Sequence, residues 1–385
     1  MRHFFASVEL NDRNVPFRRP LDVSNPTPMK DPITDRIMAM LHGHSEALPK
    51  GAPLSPPIVS TAKYKLPGNP DTPYTYGRDI NPTIEATEAA LSALEAAPVL
   101  AFPSGMAAIT AALMVAAQPG DRVLVPGDGY YVTRAVLEEV FVPRGVMVTA
   151  IPTRAYDAYD LSPFSLVWIE TPSNPLLDVC DIATIVARAK ASGAKTVVDN
   201  TTLTPLLQQP LEAGADMVVS SDTKAISGHG DVLFGHVATR QPELFDALKL
   251  WRVHSGSIPG PFEAFLVHRG MMSLEVRLAR MCSNAGAVYA ALCARDPDPA
   301  TLLAVRYPGQ GFVMGLTFAT AGIADRFIAA CPSIFPSTSF GGVHTSAERR
   351  ARWGDPVPEG YVRLSIGCEP EAALRADILE AVTAL

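Results

Sequence analysis

Lys224 stands in Ser220-Ser221-Asp222-Thr223-Lys224, directly after the apolar run Met217-Val218-Val219 and ahead of Gly228-His229-Gly230-Asp231. One apolar run earlier, Thr196-Val197-Val198 ends in Asp199. An amine and a carboxyl at the exits of two successive predicted strands, among small hydroxyl residues, make the set needed to hold pyridoxal phosphate. The amine bonds covalently to the cofactor's aldehyde. The carboxylate keeps the pyridine nitrogen protonated, so that the ring can take up electrons from a substrate carbanion.

Further residues extend this set. Ser104-Gly105-Met106 follows the run Val99–Phe102 and opens an apolar helical stretch, Ala107–Ala117, which brings backbone N–H groups and the positive end of a helix to a strand exit. Alone, Ser104 reads as an ordinary N-cap. With the hydroxyls of Ser221 and Thr223 beside Lys224, the same segment completes a phosphate cup. Glu170-Thr171-Pro172-Ser173-Asn174-Pro175 also follows a strand; it reads equally as a proline turn or as a loop whose Asn174 bonds a ring oxygen. Tyr130 and Tyr131 leave the strand Val123–Val125, where an aromatic ring either stacks on a planar cofactor or is buried under a helix. Arg363, in Val362-Arg363-Leu364-Ser365, is either a solvent-facing charge on an alternating strand or a guanidinium fork for an amino-acid carboxylate.

The elements that must position these groups alternate along the chain. A predicted helix over Ile84–Ala96 is followed by short apolar runs at Val99–Phe102, Val123–Val125, Val146–Ile151, Leu166–Ile169, Thr196–Val198, Met217–Val219 and His236–Ala238. Helical segments such as Ile182–Lys190, closed by Gly193, lie between several of them. The alternation predicts an α/β fold with a mostly parallel sheet covered by helices on both faces, which binds its ligand at the carboxyl ends of the strands. Residues 1–75, proline-rich and with a short helix near Pro32–His42, read as an N-terminal arm; 76–260 form the α/β unit. A smaller C-terminal α+β unit, 261–385, has a long helical stretch from Pro261 to about Ala294, strands at Phe312–Phe318 and Tyr361–Ser365, and a closing helix at Glu371–Ala384.

Composition narrows the function classes. A net charge of −7 gives no support for nucleic-acid binding. The longest nearly apolar stretch, Met106–Ala117, is shorter than the ~20 residues that cross a bilayer. Glu9 and Asp12 argue against a signal or transit peptide, so a cytoplasmic location is expected, with translation beginning at Met1 or Met29. The five cysteines, at 180, 282, 293, 331 and 368, are widely spaced and read as buried free thiols. His42-Gly43-His44 lacks an accompanying carboxylate or thiol, and no metal site is expected. A nicotinamide-dependent dehydrogenase would share the alternating sheet, but neither Gly228-His229-Gly230 nor Gly127-Asp128-Gly129 continues as its glycine fingerprint. A silent protein that merely binds pyridoxal phosphate would keep Lys224 and Asp199.

Taken together, from about Pro56 to the C-terminus, the chain resembles the cysteine and methionine metabolism (trans-sulfuration) family of pyridoxal-phosphate enzymes, which share the large-domain fold of aspartate aminotransferase. The resemblance is carried by Tyr76-Gly77-Arg78-Asp79-Ile80-Asn81-Pro82-Thr83, Ser104–Ile109, Glu170–Pro175, Val198-Asp199-Asn200, Ser221–Lys224 with Gly228-His229, Arg269-Gly270, Ser339-Phe340-Gly341-Gly342 and Val362–Gly367. It implies that Lys224 and Tyr130 are catalytic, Lys224 as the cofactor lysine and Tyr130 as the stacking ring, with Asp199 as the pyridinium partner. Gly105, Met106, Ser221 and Thr223 would hold the phosphate. Tyr76 and Arg78 would reach the phosphate of a neighbouring subunit, so a homo-oligomer is implied, at least a dimer and in this family usually a tetramer. Asn174, Ser339 and Arg363 would receive the carboxylate of an amino-acid thioether. The implied activity is carbon–sulfur lysis, with cystathionine γ-lyase ahead of cystathionine β-lyase and of γ-replacement by cystathionine γ-synthase or O-acylhomoserine sulfhydrylase. Departures from the family pattern cluster at Ala225, Thr338, Phe340 and the short segment His344–Trp353, where substrates are distinguished.

Overall fold

The computed structural model describes residues 32–46, 48–295, 298 and 300–385. Its larger sheet has seven strands: β1 (Val99–Phe102), β2 (Arg122–Pro126), β3 (Met147–Ile151), β4 (Leu166–Glu170), β5 (Lys195–Asp199), β6 (Met217–Ser220) and β7 (Gly235–Ala238). They lie in the order β1-β7-β6-β5-β4-β2-β3. Only β7 runs against its neighbours, pairing antiparallel with both β1 and β6.

Why this sheet is covered on both sides can be read from alternate residues. Along β4, Leu166 and Trp168 enter one core with the helix Gly105–Ala116, whereas Val167 and Ile169 enter another with the helix Ile182–Ala191. A strand whose two faces are both apolar is stable only between two layers of helix. The helices begin where caps dictate. Asn81 accepts from Thr83 and Ile84 N–H ahead of the helix Pro82–Glu95, and Asp181 accepts from Ala183 and Thr184 N–H ahead of Ile182–Ala191.

A five-stranded sheet follows: β8 (Leu302–Arg306), β9 (Val313–Phe318), β10 (Phe335–Pro336), β11 (Ser346–Arg349) and β12 (Tyr361–Ser365), in the order β10-β11-β12-β9-β8. Its core contains Met314, Leu316, Val362 and Leu364, packed by the helices Leu274–Ala294, Ala321–Ala330 and Glu371–Thr383.

Four expectations change. The helical stretch from Pro261 to about Ala294 is two helices, Pro261–Met271 and Leu274–Ala294. The carbonyl of Gly270, instead of continuing the helical ladder, accepts from the N–H and hydroxyl of Ser273 and from Arg277 Nη2. The short helix near Pro32–His42 runs from Pro32 to Glu46. It packs on the helix Pro82–Glu95, with Met40 buried and Arg36 donating to Leu94 O at 3.2 Å; residues 1–31 of the expected arm lie outside the described residues. Strands β8, β10 and β11 are additional to the expected ones; they are short and, in β8 and β10, largely exposed, so they carry little apolar period. All five cysteines are free, but Cys293 is exposed and only Cys331 is fully buried. Among the described residues no helix is long and apolar enough to cross a membrane.

Candidate active site

Parallel strands that end on one side bring their exits together, and this is where the predicted set converges. Asp199 ends β5, Glu170 ends β4 beside it, and the two are paired in register. Past the end of β6 the chain turns, with Lys224 N donating to Ser221 O at 3.1 Å and Gly228 N to Lys224 O at 2.8 Å. Lys224 therefore projects over the strand ends. Asp222 points the other way, into His236 of β7, whose Nδ1 and Nε2 lie 2.8 Å from Asp222 and 3.1 Å from Glu95. Burial opposes a charge on His236, but the two carboxyls outweigh it and lift its pKa to about 10. This buried pairing fixes the lysine turn from behind.

Glu170, Asp199 and Lys224 line a cavity of about 370 Å³. Of the sequence-predicted residues, Gly105, Met106, Tyr130, Asn174, Asp199, Ser221, Thr223, Lys224, Ser339 and Arg363 are all on its wall. Tyr76 and Arg78 are not: Tyr76 is 41% exposed, and the Arg78 guanidinium lies 5.3 Å over its ring.

One end of the cavity fits a phosphate. Ser104 caps the helix Gly105–Ala116 by accepting from Ala107 N–H at 3.1 Å, so the first turn directs free donors at the pocket. A Cβ on Gly105 would sit 2.6 Å from Ser221 Cβ, so only glycine lets this helix start close upon the lysine turn. The Ser221 hydroxyl adds a donor suited to an anion; the Thr223 hydroxyl, also on the wall, donates to Phe234 O at 3.2 Å and would have to turn to join it. The Asp199 carboxyl and Lys224 amine suit the ring nitrogen and aldehyde of pyridoxal phosphate. The residues present fit that cofactor.

Electrostatics differ between the walls. Burial raises the pKa of Glu170 well above the carboxyl range, and Asp199 raises it further; N–H bonds from Tyr130 and Asn174 oppose this. Burial likewise raises Asp199, against the bonds it accepts from Thr201 and the charge of Lys224. Burial and the neighbouring Arg363 lower Lys224 to about 8. Its Nζ bonds Ser339 Oγ at 2.7 Å rather than a carboxylate.

The opposite wall comes from the five-stranded sheet. Arg363 does alternate with apolar neighbours, yet the face away from that core is the cavity wall rather than solvent, and the residue is only 4% exposed. It donates to Asn174 Oδ1 at 2.6 Å, to Ser339 O at 3.0 Å and to Glu348 Oε1 at 2.5 Å. Glu348 also receives Arg350 Nη1 at 2.6 Å and Trp353 Nε1 at 2.8 Å, and Arg350 pairs with Asp355. Ser339 takes φ 79°, a left-handed backbone rare for any residue but glycine and typical of strained functional positions.

Sequence reasoning missed Arg350, Trp353 and Glu348. They lie on a short strand and a 3-10 turn, and their meaning arises only when Arg363, on the next strand, closes the ion cluster. An acid followed by two arginines, Glu348-Arg349-Arg350, is the available signal, but locally it reads as surface charge.

The geometry has counterparts among known proteins. The family described as Cys/Met metabolism PLP-dependent enzyme matches residues 38–319. A Streptomyces coelicolor protein, provisionally named a cystathionine gamma-lyase, is 44% identical over 359 residues, covering 86% of this chain and 90% of its own length. The cystathionine gamma-synthase of Mycobacterium bovis is 36% identical over 338 residues, covering 80% of this chain and 86% of its own. The crystal structure of metB from Corynebacterium glutamicum superposes with a TM-score of 0.86 at 32% identity, over 92% of this chain and 99% of that one. By the family match over residues 38–319 and these relatives, the chain belongs to the Cys/Met metabolism family of pyridoxal-phosphate-dependent carbon–sulfur enzymes.

Proposed function

We propose that the protein is a cystathionine γ-lyase, converting cystathionine and water into cysteine, 2-oxobutanoate and ammonia. The observation that carries this reading is the relative of 44% identity, with its γ-lyase name. The Lys224 amine, which bonds Ser339 Oγ at 2.7 Å on the cavity wall and is lowered to about 8, suits the proton transfers that such cleavage needs.

Pyridoxal phosphate, when bound, supplies an aldehyde carbon that accepts amines and a ring that stores the electron pair left on a substrate α-carbon. The chain's own residues do the rest. Gly105, Met106, Ser221 and Thr223 bind the phosphate, Tyr130 covers the ring, and Asp199 keeps a proton on the ring nitrogen. Arg363 and Asn174 orient the substrate α-carboxylate, beside Ser339. Lys224 Nζ would hold the cofactor's aldehyde carbon and, when free, would take the α-proton; cleavage would also take a proton from the β-carbon and release the thiolate of cysteine from the γ-carbon. Tyr76 and Arg78 act on the phosphate of a neighbouring subunit, in keeping with their absence from the cavity of their own chain.

The test is to incubate the purified holoenzyme with cystathionine and identify the keto acid. The expected product is 2-oxobutanoate. Pyruvate would make it a β-lyase. Absence of both, with condensation of an O-acylhomoserine and cysteine, would make it a γ-synthase, the reading supported by the 36% identical relative.

A further inference from the structure

Glu170 faces the cavity without a part in the roles above. It is 5% exposed and ends β4, and each of its carboxyl oxygens accepts one backbone N–H. Oε2 takes Tyr130 N at 2.7 Å and Oε1 takes Asn174 N at 2.7 Å. The two donors belong to different loops, one leaving β2 and one leaving β4. There is no slack on the Tyr130 side: a Cβ on Gly129 would lie 2.7 Å from Glu170 Oε2, so the loop approaches the carboxyl as closely as a glycine allows. On the other side, Asn174 Oδ1 accepts from Arg363 Nη1 at 2.6 Å, which continues the chain of contacts to the guanidinium.

We propose that Glu170 is a positioning residue that sets the plane of the cofactor ring and the seat of the substrate carboxylate together. One side chain holds Tyr130 on one oxygen and Asn174, and through it Arg363, on the other. A carboxylate is suited to this task because it has two acceptors and no donor, so neither N–H meets a competing hydrogen. An amide in its place would turn an N–H donor toward one of the two loops. The inference rests on the proposed roles of Tyr130 and Asn174, and it does not depend on which thioether is cleaved.

The test uses Glu170→Gln, whose shape is unchanged. In the apo form, affinity for pyridoxal phosphate is read by fluorescence. In the holoenzyme, binding of glycine is read from the shift of the cofactor's visible absorption. Both are expected to weaken about tenfold, the effect of one charge-assisted hydrogen bond, with the melting midpoint of the apo form within a few degrees of wild type. Asn174→Ala and the double variant Glu170→Gln/Asn174→Ala complete a cycle. If Glu170 acts through Asn174, glycine binds the double variant no more weakly than Asn174→Ala alone. Wild-type affinities in Glu170→Gln would overturn the proposal, as would fully additive losses in the cycle. If Asn174→Ala binds glycine as wild type does, the assigned role of Asn174 fails instead, and the cofactor measurement still decides the Tyr130 half.

Discussion

The two walls of the cavity are built on opposite electrostatic plans. The strand-end wall places the carboxyls of Glu170 and Asp199 side by side, both buried and both raised in pKa, with backbone N–H groups and threonine as their main partners. The wall from β11 and β12 gathers Arg350, Arg352 and Arg363 around one carboxylate, Glu348, with Asp355 behind Arg350. On the first wall burial works against the charge of each carboxyl, and only hydrogen-bond donors and Lys224 oppose it; on the second, arginines hold the charge in place. Burial raises Glu348 too, yet Arg363 and Arg350 outweigh it and hold its pKa below the usual range. The difference suits the chemistry each wall faces. In the roles proposed for them, a protonated ring nitrogen would bring its own positive charge to the acid wall, whereas a substrate carboxylate would need a guanidinium already fixed in place.

Lys224 sits between the walls and feels both: Arg363 and Arg350 lower its pKa, and Glu348 and Asp199 raise it. The severest way to break the arrangement is to remove that amine. Lys224→Ala should reduce kcat by at least about 10⁴-fold, since in the proposed role it would delete both the covalent anchor and the proton carrier. Turnover within tenfold of wild type would refute the assignment, as would borohydride trapping that labels another lysine.

Next in size is the loss of the central acid from the cationic wall. Glu348→Gln leaves Arg363 and Arg350 buried without their shared counter-charge, and breaking a buried pair in this way costs about 3–5 kcal/mol. Denaturant unfolding of the apo form should show that loss, and Glu170→Gln on the acid wall should not. Equal destabilisation of the two variants would erase the distinction drawn between the walls.

How the walls formed also decides how much of them could be read in advance. The acid wall is written locally: Val197-Val198-Asp199 and the serine and threonine before Lys224 put functional groups at the ends of recognisable apolar runs, and parallel pairing then brings those ends together. Ser104-Gly105 was legible for the same reason, as a cap at the start of an apolar helix. The cationic wall depends on contacts across a sheet. Arg363 reads as a strand charge until Glu348, paired with it on β11, supplies the partner that buries it. The break at Met272–Ser273 was illegible likewise, because Arg277 reaches from the following helix to take the Gly270 carbonyl. Groups whose partners come from neighbouring positions show in the sequence, and groups whose partners come from another strand do not.

A gentler probe is the pH at which the lysine becomes nucleophilic. Apoprotein should capture pyridoxal phosphate faster as pH rises, about tenfold per unit, and level off above about 8, because below that value the amine holds its proton. Arg350→Met removes a charge that disfavours the protonated amine, so the limb should move to higher pH. Asp199→Asn removes one that favours it and should move the limb lower. Movement in the same direction for both variants would mean that Lys224 does not sense the two walls in opposition.

The smallest effect concerns Ser339, where the walls meet through the lysine. Its hydroxyl accepts from Lys224 and its carbonyl from Arg363, while its backbone is held at φ 79°. Ser339→Ala loses the hydroxyl and keeps the unfavourable backbone. Ser339→Gly loses the same hydroxyl but tolerates the backbone, so it should be more stable than the alanine variant by about 1 kcal/mol. Both should show the same fall in kcat/KM, about tenfold for one hydrogen bond to a charged amine. If glycine recovers activity as well as stability, the role of Ser339 lies in its backbone, and the contact with Lys224 is incidental.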